Sequence, residues 1–234
     1  MTEVFPETWK RGLYEAIVRR RDMREFRPDP VPRDVLVRIL SAAHHAGSVG
    51  YSQPWNFLVV EDLELRRRIH AHVTTQRLRA ADAFEGERRE KYLSLKLEGI
   101  LEAPLNLCVT CNTSVDGEAV LGRYTIRETD IYSTCCAVQN LWLAARCEGV
   151  GVGWVSIMEP ATLSEMLEIP AGIMPVAYLC VGYVDRFPER PTLEKVGWGK
   201  RRPLQEMVFM ERWGQAPDDA FSQDLEMGST LEHV

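Results

Sequence analysis

A chain of 234 residues with 45% hydrophobic content can bury a sizeable core, which excludes a disordered scaffold and fits one large domain better than two small ones. A net charge of −6 and a pI near 5.5 exclude a molecule-wide attraction to nucleic acid or anionic membrane, so any basic site must be local. The opening Met1-Thr2-Glu3-Val4-Phe5-Pro6-Glu7 has acids where a signal peptide needs a basic start. No later run reaches the roughly 18 apolar residues of a membrane span, so a soluble cytoplasmic protein is expected.

In chain order, the residues predict a helix over about 8–19, a break at Pro28-Asp29-Pro30, and a second helix beginning at Asp34 or its neighbours. Val35, Leu36, Ile39, Leu40 and Ala43 recur at helical spacing, and Gly47 should stop that helix. Phe57-Leu58-Val59-Val60 is a short apolar run and predicts a buried strand. Residues 63 to about 101 read as helical and strongly charged, with an interruption at Gly86. Polarity on all sides predicts a segment lying over other structure rather than within the core. A strand over 105–111 follows, then a loop over 112–124 with turn signals at Asp116-Gly117 and Gly122.

Residues 129–147 form the most apolar helix, with Ile131, Cys135, Val138, Leu141, Trp142 and Ala145 on one broad face and Gly149 just past its end. A strand over 150–157, a brief helix over 160–167 and a strand over 176–184 complete the pattern. After Trp213 the composition turns polar, so 214–234 is expected to be a flexible tail and 8–213 the folded domain. Gly151-Val152-Gly153 lies inside an apolar strand with no third glycine opening a helix, which argues against a dinucleotide-binding turn. No P-loop sequence occurs, so side chains would have to hold any bound nucleotide.

The six cysteines, Cys108, Cys111, Cys135, Cys136, Cys147 and Cys180, sit in apolar surroundings, which favours buried thiols over a disulfide framework. Cys108 and Cys111 form a CxxC, but strand alternation sets residues three apart on opposite faces, and no second pair completes a zinc site. The five histidines show no ligand spacing, and no metal site is expected.

Two stretches carry chemistry. Arg19, Arg20, Arg21 and Arg24 surround Asp22 at the end of the first helix, and guanidiniums bind phosphate oxygens in bidentate fashion. Late-turn arginines that only complement the helix dipole are the alternative. A second basic cluster, Lys200-Arg201-Arg202, could close on the same anion. An acid among arginines should have its pKa lowered and be ionised at neutral pH; it either serves only as a salt-bridge partner or acts as a general base on the ligand. The other stretch, Ser48-Val49-Gly50-Tyr51-Ser52-Gln53-Pro54-Trp55, concentrates hydroxyl and amide groups able to bond a polar ring edge, with Trp55 and Phe57 read as core. Ser156 should stand at the sheet's edge, where a turn-forming role is the alternative.

Arg20-Arg21-Asp22-Met23-Arg24, Gln53-Pro54-Trp55-Asn56-Phe57, Gly151-Val152-Gly153-Trp154-Val155-Ser156 and Arg201 before Pro203-Leu204 together resemble the flavin-dependent nitroreductase superfamily. The general pattern of that superfamily has serine at the position of Asp22. The aspartate, the stretch from Gly86 to Ile100, the block from Tyr132 to Ala145, and Ser156 are closer to one branch, the 5,6-dimethylbenzimidazole synthases. The likeness runs from about Tyr14 to Trp213.

The resemblance implies an α+β, nitroreductase-like three-layer fold: a mixed, mainly antiparallel sheet flanked by helices, in an intertwined homodimer with FMN at the subunit interface. It implies fragmentation of reduced FMN, as substrate, by dioxygen to give 5,6-dimethylbenzimidazole, the lower axial ligand of cobalamin. By the same likeness Arg20, Arg21 and Arg24 with Arg201 would hold the phosphate and ribityl chain, and Ser48, Ser52 and Gln53 would line the ring from the partner. Lys96 would approach the pyrimidine edge, Met23 and Leu107 would be further contacts, and residues around 80–100 would form a lid. Asp22 would be the acid/base residue, with Ser156 placing the ring. Gly47 departs from the proline common in relatives, and Ser52 is a variable position. A separate flavin reductase is a possible partner. An NAD(P)H-dependent nitroreductase or flavin reductase, and a non-catalytic flavin carrier, are the rival readings.

Overall fold

The computed structural model describes residues 4–113 and 121–228. Its centre is a four-stranded antiparallel sheet ordered β1-β2-β4-β3, formed by β1 (Trp55–Val60), β2 (Leu105–Asn112), β3 (Val150–Val155) and β4 (Ile173–Tyr183). β2 and β4 are the inner strands, covered on both faces, and their registers pair Leu105 with Val181 and Val109 with Ala177. A bulge then skips Val176, so that Thr110 meets Pro175, a residue with no N–H to give a regular ladder.

Side-chain alternation builds two cores. On one face Leu105, Leu107 and Val109 of β2, Leu179 and Val181 of β4, and Val150 and Val152 of β3 meet α2 (Arg33–His44) and α5 (Thr129–Cys147). On the other, Cys108, Tyr178, Cys180 and Val155 meet α3 (Leu63–Ala81) through Ile69 and Val73, and α6 (Pro160–Met166) through Leu163. These helices and strands belong to one compact unit, Arg20–Phe187. The other unit, Met1–Arg19 with Pro188–Val234, holds α1 (Glu7–Arg19), α7 (Thr192–Lys195) and α8 (Asp219–Gly228).

Several expectations need correction. β1 is an edge strand with Val59 45% exposed, not a buried one, because only β2 pairs with it. α2 ends at His44, before Gly47. The charged stretch divides into α3 and α4 (Gly86–Ser94), with the chain from Leu95 onward non-helical. α3 is not a mere cover: Ile69 and Val73 are fully buried, and even Arg66 is, donating to the carbonyls of Ile100, Leu101, Ala103 and Pro104. α8 lies within the expected tail; Asp218 caps it, its carboxylate accepting from Phe221 N–H at 2.8 Å.

α5 and Gly149 stand as expected, the glycine at φ 73° with its N–H on Arg146 O. The buried face of α5 differs from the predicted one in its first turns, where Asp130, Ser133 and Thr134 are buried while Ile131 is not; Arg123 neutralises Asp130 in a 2.6 Å ion pair. Of the cysteines, Cys108, Cys111 and Cys180 are buried, but Cys136 and Cys147 are exposed, and all six are free thiols. Asp116-Gly117 lies outside the described residues, while Gly122 has the positive φ of a turn. No described helix is long and apolar enough to cross a membrane.

Candidate functional site

The segment after α1 does not leave the sheet but lies along β3. Met23 N–H bonds Val152 O at 3.0 Å, a parallel bridge joins Asp22 to Val152, and Arg27 N–H reaches Tyr183 O at 2.8 Å. Strand glycines make this approach possible. A Cβ on Gly153 would stand 2.0 Å from Met23 O, and one on Gly151 would stand 2.6 Å from Val184 and 3.1 Å from Met23 Cγ. Gly99 is likewise packed under Phe26 and Arg24 O. Glycine inside a strand pattern signals close backbone approach, and Gly151-Val152-Gly153 carried that signal without being read for it.

This docking fixes Asp22 at the end of β3. Its Oδ1 accepts from Trp154 N–H at 2.9 Å and from Arg24 Nη1 at 3.0 Å, and its Oδ2 pairs with Arg24 Nη2. Ser156 follows two residues beyond Trp154, just past the strand, and is exposed as expected. The side chain of Asp22 keeps 43% of its surface open, yet the protein around it still displaces enough water to matter. Burial raises its pKa above the ordinary carboxylate value, outweighing the opposing pulls of Arg24, the Trp154 N–H and Arg20. The lowered pKa expected from the surrounding arginines is therefore wrong in sign, because desolvation exceeds their attraction.

The arginines play different parts. Arg24 is largely buried, and each of its terminal nitrogens serves one Asp22 oxygen and one carbonyl, Met23 O at 3.2 Å and Trp154 O at 2.8 Å. It is not an open anion receptor in this arrangement. The Arg20 guanidinium lies 4.7 Å from the Trp142 ring centroid, and Arg21 Nη1 bonds Arg20 O at 2.8 Å. Trp142 Nε1 donates to Arg21 O at 3.2 Å, so α5 orients both residues. Arg201 is exposed and belongs to the other unit.

The polar loop is strained as well as polar. Gly50, Tyr51 and Gln53 have φ of 61°, 57° and 46°, interrupted by a right-handed Ser52, and the left-handed region costs free energy at the two non-glycine positions. Ser48 Oγ accepts from Gln53 N–H at 3.2 Å, and Val49 N–H donates to Ser133 Oγ at 3.1 Å, which seats the loop on α5. The Ser52 hydroxyl is shielded from solvent with no hydrogen-bond partner among the described residues. A buried orphan hydroxyl in a strained loop is what a ligand with a polar edge would satisfy. Trp55 is core as expected, its Nε1 bonded to His44 Nδ1 at 3.2 Å, and Phe57 packs against the same core.

Lys96 is exposed and paired with Glu102 at 2.8 Å. Glu102 has its pKa lowered, burial opposing the shift and the Lys96 hydrogen bond driving it. Met23 is buried and contributes through its backbone. Leu107 is wholly enclosed in the core between the sheet and α5, so any contact it makes with a ligand would come from its main chain. The two CxxC thiols do face opposite sides, Cys108 toward Tyr178 and Cys111 toward Thr134 on α5.

Comparison with known proteins agrees with this architecture. The model of the nitroreductase family matches residues 17–183. A 5,6-dimethylbenzimidazole synthase from Rhodospirillum rubrum is 43% identical over 201 residues, 86% of this chain and 95% of its own. The enzyme of that name from Rhodobacter capsulatus is 36% identical over 86% of this chain and 97% of its own. The crystal structure of oxidised iodotyrosine deiodinase bound to FMN and 3-iodo-L-tyrosine superimposes with a TM-score of 0.65 at 24% identity, covering 76% of this chain and 94% of that one. A sheet edge built around strand glycines, a seated arginine-aspartate segment and these matches together place the chain in the nitroreductase family.

Proposed function

We propose that this protein is a 5,6-dimethylbenzimidazole synthase, which takes reduced FMN as substrate and fragments it with dioxygen. The observation that carries the reading is the Asp22 carboxylate, held at the end of β3 by Trp154 N–H and Arg24, in a chain 43% identical to an enzyme of that name. Arg20 and Arg21 supply positive charge for the phosphate of FMN. The orphan hydroxyl of Ser52 and the amide of Gln53 fit the polar edge of an isoalloxazine, with Ser48 holding their loop in shape.

When bound, reduced FMN supplies the electrons for oxygen reduction and the ring that is consumed. The protein's part is to hold, orient and move protons. Two acceptor positions on Asp22 Oδ1 and one on Oδ2 are filled, and the remaining position on Oδ2 is where a proton is taken up. A carboxyl whose pKa is raised by burial is a better proton carrier near neutrality than an ordinary aspartate. Ser156, exposed beyond the strand end, orients the ring beside it.

The flavin sits between two copies of the chain in this reading. Tyr51, Leu121 and Tyr124, at 84%, 82% and 97% exposure, support it as large apolar groups that a second copy would cover. A separate reductase delivers the flavin in reduced form. A cytoplasmic setting suits six free thiols. The test is to mix the protein with chemically reduced FMN, admit air, and search by mass spectrometry for the benzimidazole and a four-carbon sugar phosphate. Absence of both, or steady NADPH oxidation with catalytic FMN, overturns the proposal. Unchanged yield from Asp22→Asn removes the aspartate from it.

A further inference from the structure

Arg24 looks from sequence like one more cation for the phosphate, but its surroundings give it other work. Its side chain is 17% exposed, and both terminal nitrogens are committed within the protein, to Asp22 and to the carbonyls of Met23 and Trp154. Its charge is matched by the Asp22 carboxylate, so the pair adds no net attraction for an anion. The guanidinium reaches this position only because residue 153 lacks a side chain: a Cβ there would stand 2.5 Å from Nη1. Through Trp154 O, Arg24 grips the residue whose N–H bonds the same Asp22 Oδ1 that Arg24 Nη1 does.

We infer that Arg24 is a positioning residue acting through Asp22, clamping its carboxylate against the end of β3, and that Gly153 is the gap that admits it. This rests on the reading of Asp22 as the proton-transfer group. The fork geometry matters because one planar guanidinium meets both carboxylate oxygens and two carbonyls, which an ammonium cannot do. The charged and polar groups facing Asp22 are Arg24, Arg20 and the Trp154 N–H, set against burial. Without Arg24 the balance shifts further toward the neutral acid. The nearby Cys180 thiol, which burial pushes up to about 12, stays uncharged and adds no compensating charge.

The experiment compares Arg24→Gln and Arg24→Lys with the parent, using full-length protein. In the flavin-free protein, carbon-detected NMR follows the Asp22 carboxyl, assigned by its loss in Asp22→Asn. Fluorescence quenching gives the ratio of affinities for oxidised FMN and riboflavin. Product yield is then measured against pH. Arg24→Gln should move the Asp22 titration to higher pH and carry the acid limb of product formation with it, leaving the FMN-over-riboflavin ratio as in the parent. Arg24→Lys should hold the titration nearer the parent's while still losing yield, and it serves alone if the glutamine variant does not fold. A loss of that ratio by about tenfold or more, as expected for one lost charged hydrogen bond to phosphate, with an unmoved carboxyl, overturns the inference. If the carboxyl moves as expected but Asp22→Asn keeps full yield, the clamp stands and the proton-transfer reading of Asp22 falls.

Discussion

Replacing Gly153 by alanine tests the physical basis of the site. The new methyl would begin 2.0 Å from Met23 O and 3.1 Å from Met23 C, both backbone atoms that cannot swing aside as a side-chain tip does. Ordinary contact requires Met23 to withdraw by about 1 Å or more. That displacement stretches the 3.0 Å bond from Met23 N–H to Val152 O past useful length and pulls Arg24 from Trp154 O. Overpacking of this kind costs about 2 kcal/mol, and weakening a charged hydrogen bond about 2 more. The alanine recovers about 0.7 kcal/mol by restricting the unfolded chain. The net loss is about 3 kcal/mol, visible in urea denaturation as a midpoint lower by roughly 1 M, and accompanied by loss of product formation. A variant within about 0.5 kcal/mol of the parent, with normal yield, would refute the claim that the arginine-aspartate segment is seated on this glycine.

Gly12→Ala is the matched control: apart from the local backbone of α1 nothing lies within 4 Å of its added Cβ, so stability should rise by about 0.5–1 kcal/mol in the same urea assay. Arg66→Met leaves the carbonyl of Ala103 without its buried guanidinium donor, while Ile100 O keeps Asn106 Nδ2 at 3.0 Å, and should lower unfolding stability by about 2 kcal/mol. Cys108 and Cys180, both pushed up to about 12 by burial, should resist a thiol-reactive chromophore at pH 8 until the protein is unfolded. For Asp22 the folded pKa lies above the ordinary aspartate value, so the native state holds its proton more tightly than the unfolded chain does. Stability from this group is therefore full below the unfolded pKa and falls as pH rises toward the folded one. Asp22→Asn, which cannot ionise, should gain on the parent across that interval; a constant difference between the two pH–stability curves would count against the raised pKa.

Long apolar patterns were easy to read because period and burial coincide. The helix over 129–147 and the strand beginning at Leu105 follow from apolar spacing that the fold keeps. The exposure of β1 is not legible, because a run such as Phe57-Leu58-Val59-Val60 does not say whether a strand has one neighbour or two, and sheet order decides that. The arginine-aspartate cluster was visible as chemistry. The division of labour within it was not, since Arg20 and Arg24 differ only in what α5 and β3 place beside them. The sign of the Asp22 shift was missed for the same reason: neighbouring charges can be seen in sequence, but the loss of water cannot. The alternation that makes β2 a strand also turns the Leu107 side chain into the core, a direction that strand period makes legible.

The hydrogen bond from Arg24 to Trp154 O spans 130 residues of chain. A ribosome must therefore have released everything through the third strand before the aspartate has a seat. Until then the basic stretch is an unanchored polyelectrolyte, and its affinity for anions carries no geometry. Assembly of the chemistry is thus tied to a contact of high sequence separation, the slow kind to close, which makes catalytic competence a late product of folding rather than a property of either half.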